Sequence, residues 1–561
     1  MAALTIGLCW AYLLQSRADP ANSDASGMVL EGWDMLHGNL LLSGWSLADV
    51  SFYTFEVPVD GLISVVYGLR TDVVHVAAAA EYALLVLFAA LVAAGSSRDR
   101  ARGGYEAWIR GLIAALILVA PGTNPGAHIL LLGPDHTAIG VPVLAALLAV
   151  DRLRPRRLLP VLGTAALVCL LLIWAQLDDP VAEFSCALPL ALACLAPLLA
   201  VPVRRTFAFI RARRGRPTEP RLTWRREAAV HGYDVALFVA AVASFGLTQL
   251  AIRAIRNAGG YYVMAIPAKS QISQWSTVPT QIRVLGQNLL YLFGANWWGR
   301  TQPQEAYGYV HLVGVVVAAI GLLIAILSWP RADRVTRTLV LALLAVFAAG
   351  SMSPLTQPIS GAHEIAIMLS LSAALAGRSI GPWLARRPAA GRVGPAAGRV
   401  GPALRGAVAC VLVVAGIGYL SNLAFNAAQR APQAINQDLA DWLVAHNLTS
   451  GMSGYWDANI TALDSGGKVR LAPLVRGSSY GYLWETKAAW YNPDVSYANF
   501  IIAHEQRLGA GYVYVGSAVN WYGQPNKMYL LGRTVVMVYD RNLLSQVIQP
   551  TPGYLYGPPG G

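Results

Sequence analysis

Runs of about twenty apolar residues, separated by short polar stretches, fill the first three-quarters of the chain. A bilayer-spanning helix needs about 20 mainly apolar residues. Eleven runs meet or approach that length, starting near Ala2, Val73, Tyr105, His128, Leu158, Ser185, Val235, Tyr309, Thr338, Pro358 and Leu404. The first, Ala2–Leu14, is short and has no basic residue before it, and polar residues interrupt the fourth and tenth. From about Phe425 the pattern changes. Ile435, Leu439, Trp442 and Leu443 follow helical spacing. Lys468–Pro473, Tyr497–His504, Gly511–Gly516 and Tyr529–Tyr539 read as strands, and a short helix is expected over Asp457–Leu463, ended by Gly466 and Gly467. The expected fold class is a polytopic α-helical membrane protein of about 11 transmembrane helices with a C-terminal extracytoplasmic α/β domain. Residues 1–424 form the membrane domain with long external loops at 15–72 and 253–308, residues 425–548 the soluble domain, and residues 549–561 a disordered tail.

Charge fixes the topology. Only 13% of the 561 residues are charged, about half the share of an ordinary globular domain, which excludes a string of soluble domains. Disorder is excluded too, since it needs high charge and little apolar surface. The net charge of +12 could signal a nucleic-acid partner, but the arginines are placed otherwise. Twenty-six of the 42 basic residues lie in five connections of the same parity: Arg98–Arg110, Arg152–Arg157, Arg204–Arg226, Arg331–Arg337 and Arg378–Arg405. The positive-inside rule makes these the cytoplasmic loops. The amino terminus is then cytoplasmic and the C-terminal domain extracytoplasmic, in a multi-pass protein of a bacterial plasma membrane that binds no nucleic acid. The tandem Ala-Ala-Gly-Arg-Val-Gly-Pro of 389–402 reads as a flexible insertion. All five cysteines fall in apolar runs, and no disulfide or zinc spacing exists.

In so uncharged a chain, acids beside the membrane on the external side are the candidates for chemistry. Asp24 lies about ten residues beyond the first run, ahead of an amphipathic stretch with Met28, Leu30, Trp33 and Leu36. It suits a plain helix cap. Asp135-His136 sits in the short second external loop, where His136 is a proton carrier, a phosphate partner or a ligand of a divalent cation. His363-Glu364 adds another acid on that side, and Glu81 and Asp234 are ionisable groups within runs. The fourth external loop carries Arg253, Arg256, Lys269, Arg283 and Arg300, unusual for an external loop. Those cations suit a phosphate. The soluble domain is rich in aromatics, including Tyr455, Trp456, Trp484 and Trp490, which fit either a core or a sugar-stacking surface. There is no P-loop, GxSxG, HExxH or Rossmann fingerprint.

Asp24, Met35, Leu36 and Gly38, just past the first span, resemble the first external loop of GT-C glycosyltransferases, particularly the branch of protein O-mannosyltransferases and aminoarabinose transferases. The stretch 24–80 also looks like that of actinobacterial membrane proteins described as glycosyltransferase-like. Ala25 stands where the family often has a second acid. The resemblance implies transfer of a sugar from a polyprenyl-phosphate donor to a glycan, lipid or protein acceptor on the external face. It implies catalytic roles for Asp24, Asp135, His136 and Glu364, and donor-phosphate contacts from Arg256, Lys269 and Arg283, with a divalent cation as possible cofactor. Two other classes fit the same features: a secondary transporter or flippase, and a non-catalytic scaffold of the same fold with an external binding domain.

Overall fold

In a computed structural model, the structure describes residues 2–96, 104–133, 136–153, 155, 157–199, 224–266, 271–386, 397–475 and 479–553. Asp135, Lys269, most of the nine-arginine connection and the first copy of the tandem repeat lie outside them. Among the described residues six helices are long and apolar enough to cross a membrane: Asp72–Ala94, Leu158–Asp178, His231–Asn257, Gln304–Leu327, Arg334–Met352 and Pro402–Ala427. Each of the other five apolar runs also carries helix, in shorter pieces. The run from His128 is broken into Gly126–Leu131 and Gly140–Arg152, and the run expected from Pro358 becomes helical for good only over Ile367–Leu384. The second copy of the repeat, from residue 397, lies at the start of the long helix Ala397–Ala427.

These helices share one apolar core of Ala, Leu and Val. Its arginine-bearing end is built differently from a row of free loop charges. Arg378 is buried inside Ile367–Leu384, where it meets Asp151 at 3.1 Å and Asp333 at 2.7 Å. Arg334 is likewise paired with Asp234 at 2.5 Å, which removes Asp234 from the candidate site.

At the opposite end the long loop 15–72 folds into two helices, Ser23–Leu36 and Glu56–Tyr67. Asn22 is the N-cap of the first, its side chain accepting from the Ala25 N–H, so Asp24 lies in the first turn and is not the cap. The two helices cross at Gly32 and Gly61. A Cβ on Gly32 would lie 2.4 Å from the Val57 carbonyl oxygen, so only glycine allows this approach.

The C-terminal part of the chain builds a six-stranded sheet in the order β5-β4-β3-β7-β9-β8. Its strands are β3 (Ser450–Gly454), β4 (Arg470–Val475), β5 (Tyr480–Gly481), β7 (Phe500–His504), β8 (Lys527–Leu531) and β9 (Thr534–Val538). β3, β4 and β7 are parallel and β9 closes antiparallel on β7. The expected strand Gly511–Gly516 gives only a bridge to His504 before the helix Val515–Tyr522, and Tyr529–Tyr539 is a hairpin turned at Gly532. Residues 549–553 belong to the fold, against the expectation of a disordered tail: Gln549 donates to the Tyr491 carbonyl and Gly553 accepts from the Ala265 N–H.

A second, three-stranded sheet joins the two parts. β1 (Trp45–Leu47) comes from the first long loop, β2 (Tyr262–Val263) from the segment after Trp224–Asn257, and β6 (Thr486–Lys487) from the C-terminal domain. β1 is central, parallel to β2 and antiparallel to β6. Lys487 pairs with Asp34 at 2.9 Å, Ser23 donates to the Tyr455 carbonyl at 2.6 Å, and Thr71 donates to Asp464. Val29, Val73 and Val74 pack against Ile460 and Leu463 across the same junction.

Candidate functional site

Each strand of the small sheet delivers chain to one cavity. Ala48 and Asp49 follow β1, Ile266 follows β2, and Trp484 and Glu485 precede β6, and all five line a space of about 310 Å³. Asp24 lines it from the first turn of its helix, His136 from the turn before Gly140–Arg152, and His363 and Glu364 from the short helical segment Ser360–Ile365. The backbone is forced here. Six described non-glycine residues have positive φ, and three of them, Phe52 (47°), His136 (48°) and Glu485 (49°), line this cavity. Such strain persists only where packing over-determines it, and it collects at functional sites.

One wall is a histidine–carboxylate cluster. His136 is buried, its Nδ1 2.6 Å from Asp179 Oδ2. Asp179 is itself fixed, its other oxygen accepting from the Val181 N–H at 2.8 Å. His136 Nε2 then faces Glu364 Oε2 at 3.5 Å, and His363 Nε2 lies 3.5 Å from Glu364 Oε1. The two imidazoles are parallel within 4° at 5.7 Å between centroids. One ligand atom from each of His136, His363 and Glu364 lies within 4.8 Å of the others. Two imidazole nitrogens and a carboxylate suit a divalent transition ion, and the carboxylate behind His136 is the usual second partner of a ligating histidine.

The facing wall is acidic and comes from both domains. Tyr455, first residue of the helix Tyr455–Asp464, donates its hydroxyl to Asp24 Oδ1, and the Tyr455 hydroxyl oxygen lies 3.1 Å from Glu485 Oε2. Glu485 is buried and its Oε1 has no partner among the described residues. Burial, Asp24 and Glu31 together push Glu485 well above the ordinary carboxylate range. Burial and the two adjacent acids push the Tyr455 phenol up as well. The helix bearing Asp24 can approach only because residue 27 is glycine: a Cβ there would lie 2.1 Å from Glu485 Oε2.

The structure thus brings together three of the candidates, Asp24, His136 and Glu364, with His363. Arg256 and Arg283 are exposed and do not line the cavity among the described residues, where no arginine or lysine is found. Glu81 lies behind the site, in a separate water-sized cavity with Glu56 and Thr137. Sequence reasoning missed Glu485, Asp49 and Asp179, and saw Tyr455 and Trp484 only as aromatics. An acid beside tryptophan in a weakly charged domain was the one available signal for Glu485.

No family model and no curated protein sequence matches the chain. Among solved structures it is similar to the archaeal oligosaccharyltransferase AglB from Archaeoglobus fulgidus, in complex with an inhibitory peptide and a dolichol-phosphate. The TM-score is 0.44 at 13% identity, covering 89% of this chain and 69% of that one. That likeness is distant and assigns no function.

Proposed function

We propose that this protein is a membrane glycosyltransferase that moves a sugar from a polyprenyl-phosphate carrier to a hydroxyl acceptor at the extracytoplasmic face. The observation that carries the reading is the convergence of Asp24, His136, Glu364 and Glu485 on one cavity between helix ends and a sheet domain. A lipid-borne donor can reach such a place from the membrane and a polar acceptor from the other side. The helix Leu158–Asp178 supports the orientation. Its first residue follows Arg157, and its last accepts from the Phe52 N–H beside the cavity, about 30 Å away at 1.5 Å per residue.

In the reaction the acceptor oxygen attacks the anomeric carbon, and the carrier phosphate leaves with the electrons of the broken C–O bond. The hydroxyl proton passes to Asp24, the general base. Tyr455 orients that carboxylate. Trp484 offers an aromatic face for a sugar ring at the same wall. A phosphate beside Asp24, Asp49, Glu364 and Glu485 needs positive charge. His136, His363 and Glu364 would hold a divalent cation that supplies it. Lys269, three residues after Ile266, and Arg256 are proposed to meet the carrier phosphate as it arrives. Asp135 is proposed to assist beside His136.

The test is release of polyprenyl phosphate by the purified full chain in lipid, with a panel of polyprenyl-phosphate sugars and hydroxyl acceptors. Asp24→Asn is expected to lower release by about 10²–10⁴, the usual contribution of a positioned base. Undiminished release from a correctly inserted Asp24→Asn protein would sink the reading.

A further inference from the structure

Two carboxyls crowd one phenol in the acidic wall. Tyr455 has a single proton to donate, and its closer contact gives that proton to Asp24 Oδ1. The other contact, 3.1 Å to Glu485 Oε2, is then a hydrogen bond only if the carboxyl itself donates. Otherwise two carboxylates would press on one oxygen with a buried charge uncompensated, at a cost of several kcal/mol per ion. One of the two acids must therefore carry a proton, and the surroundings decide which. Asp24 is partly exposed and lies in the first turn of a 14-residue helix, where the helix dipole favours negative charge. Glu485 is 1% exposed, Oε1 has no partner among the described residues, and its backbone is held at φ 49°. Among the described residues, the charges that act most on Glu485 are acids: Asp24 and Glu31 from the Ser23–Leu36 helix and Asp49 from the segment after β1. His136, His363 and Glu364 line the same cavity.

We propose that Glu485 is a positioning residue that keeps the one proton shared with Asp24 through Tyr455, leaving Asp24 ionised to accept the proton of the incoming hydroxyl. This rests on the reading of Asp24 as base. The net transfer is unchanged: the hydroxyl proton ends on Asp24, the carrier phosphate leaves with its bonding pair, and Glu485 ends with the proton it began with. Burial, with Asp24 and Glu31 nearby, raises the pKa of Glu485, which favours its protonated form. The C-terminal domain thereby sets the charge state of a residue more than four hundred positions earlier.

Infrared difference spectroscopy of the purified full chain at pH 7 tests this without any substrate. Glu485→Gln is expected to remove a protonated-carboxyl C=O band and leave carboxylate intensity unchanged. Tyr455→Phe is expected to keep that band and move its frequency, because the acceptor of the Glu485 proton has gone. Loss of a carboxylate band in Glu485→Gln overturns the proposal, since the proton would then reside on Asp24. A kinetic arm uses the pH–rate profile: the alkaline limb, set by ionisation of Glu485, is expected to move up by more than about one unit in Glu485→Gln. An unmoved limb also overturns it. Inactivity of the wild type on every donor would count against the transferase reading alone, because the infrared result stands without turnover.

Discussion

Asp179 shows how much a single side chain can decide. It does not itself line the cavity, yet its two oxygens hold the Val181 N–H and His136 Nδ1, which aims His136 Nε2 at Glu364. Removing such an outer partner typically costs 10–100-fold in metal affinity. Asp179→Asn is therefore expected to weaken Mn²⁺ binding by about 10–100-fold, read by titration with electron paramagnetic resonance. A wild-type protein that binds no Mn²⁺ would rule out the cation site. On the other side of the molecule Arg378 pairs with Asp151 and Asp333, holding Asp333 well below the ordinary carboxylate range. Arg378→Met removes the buried guanidinium from Asp151 and Asp333, and breaking a buried pair typically costs about 3–5 kcal/mol. The expected readout is a clear drop in thermal midpoint in detergent, while Mn²⁺ binding persists below it. Among the site residues, those beside membrane runs were legible, because an acid next to an apolar stretch stands out. Glu485 and Tyr455 were not, because no local pattern announces a contact across 431 positions.

At the scale of elements, apolar periodicity gave the helices and failed where side chains carry no signal. β3 reads Ser-Gly-Met-Ser-Gly and has little strand propensity, yet it lies inside the sheet, paired with β4 and β7. Its identity comes from its neighbours. The Asp24 helix was displaced in the sequence reading for a local reason: Asn22, Ser23 and Asp24 are all good caps, and only the fold selects Asn22. The crossing of Ser23–Leu36 over Glu56–Tyr67 makes a firm prediction. Gly32→Ala drives a methyl group into the Val57 carbonyl and the Gly61 backbone. Overpacking of this kind typically costs about 1–3 kcal/mol. Because the Asp24 helix must move, the thermal midpoint and sugar transfer are expected to fall together. Full activity in Gly32→Ala would show that the crossing does not position Asp24.

The whole molecule carries a pH dependence written into its junction. Glu31, Glu56 and Asp60 are buried in the two loop helices, and burial, with neighbouring acids for Glu31 and Glu56, raises all three well above the carboxylate range. A carboxyl whose folded pKa is raised favours the folded state most at low pH. Its contribution is lost progressively as pH rises from about 4, where the unfolded chain ionises, toward the folded value. Each such group can change stability by at most about 1.4 kcal/mol per pH unit. The thermal midpoint is expected to decline from pH 5 to 9, and Glu56→Gln to flatten that decline. A flat wild-type profile would contradict these buried acids as drawn.

The small sheet also sets an order of events during synthesis. β1 and β2 meet over two residue pairs, as do β1 and β6, and short ribbons of that kind are marginal in water until a further strand joins them. The ribosome makes β1 and β2 long before β6. Until residues 486–487 have been made and docked, Glu485 is absent from the Asp24 wall, and the candidate site is incomplete. On the proposed function, a chain arrested before that point should carry out no sugar transfer, so completion of the last fifth is the step that would switch it on.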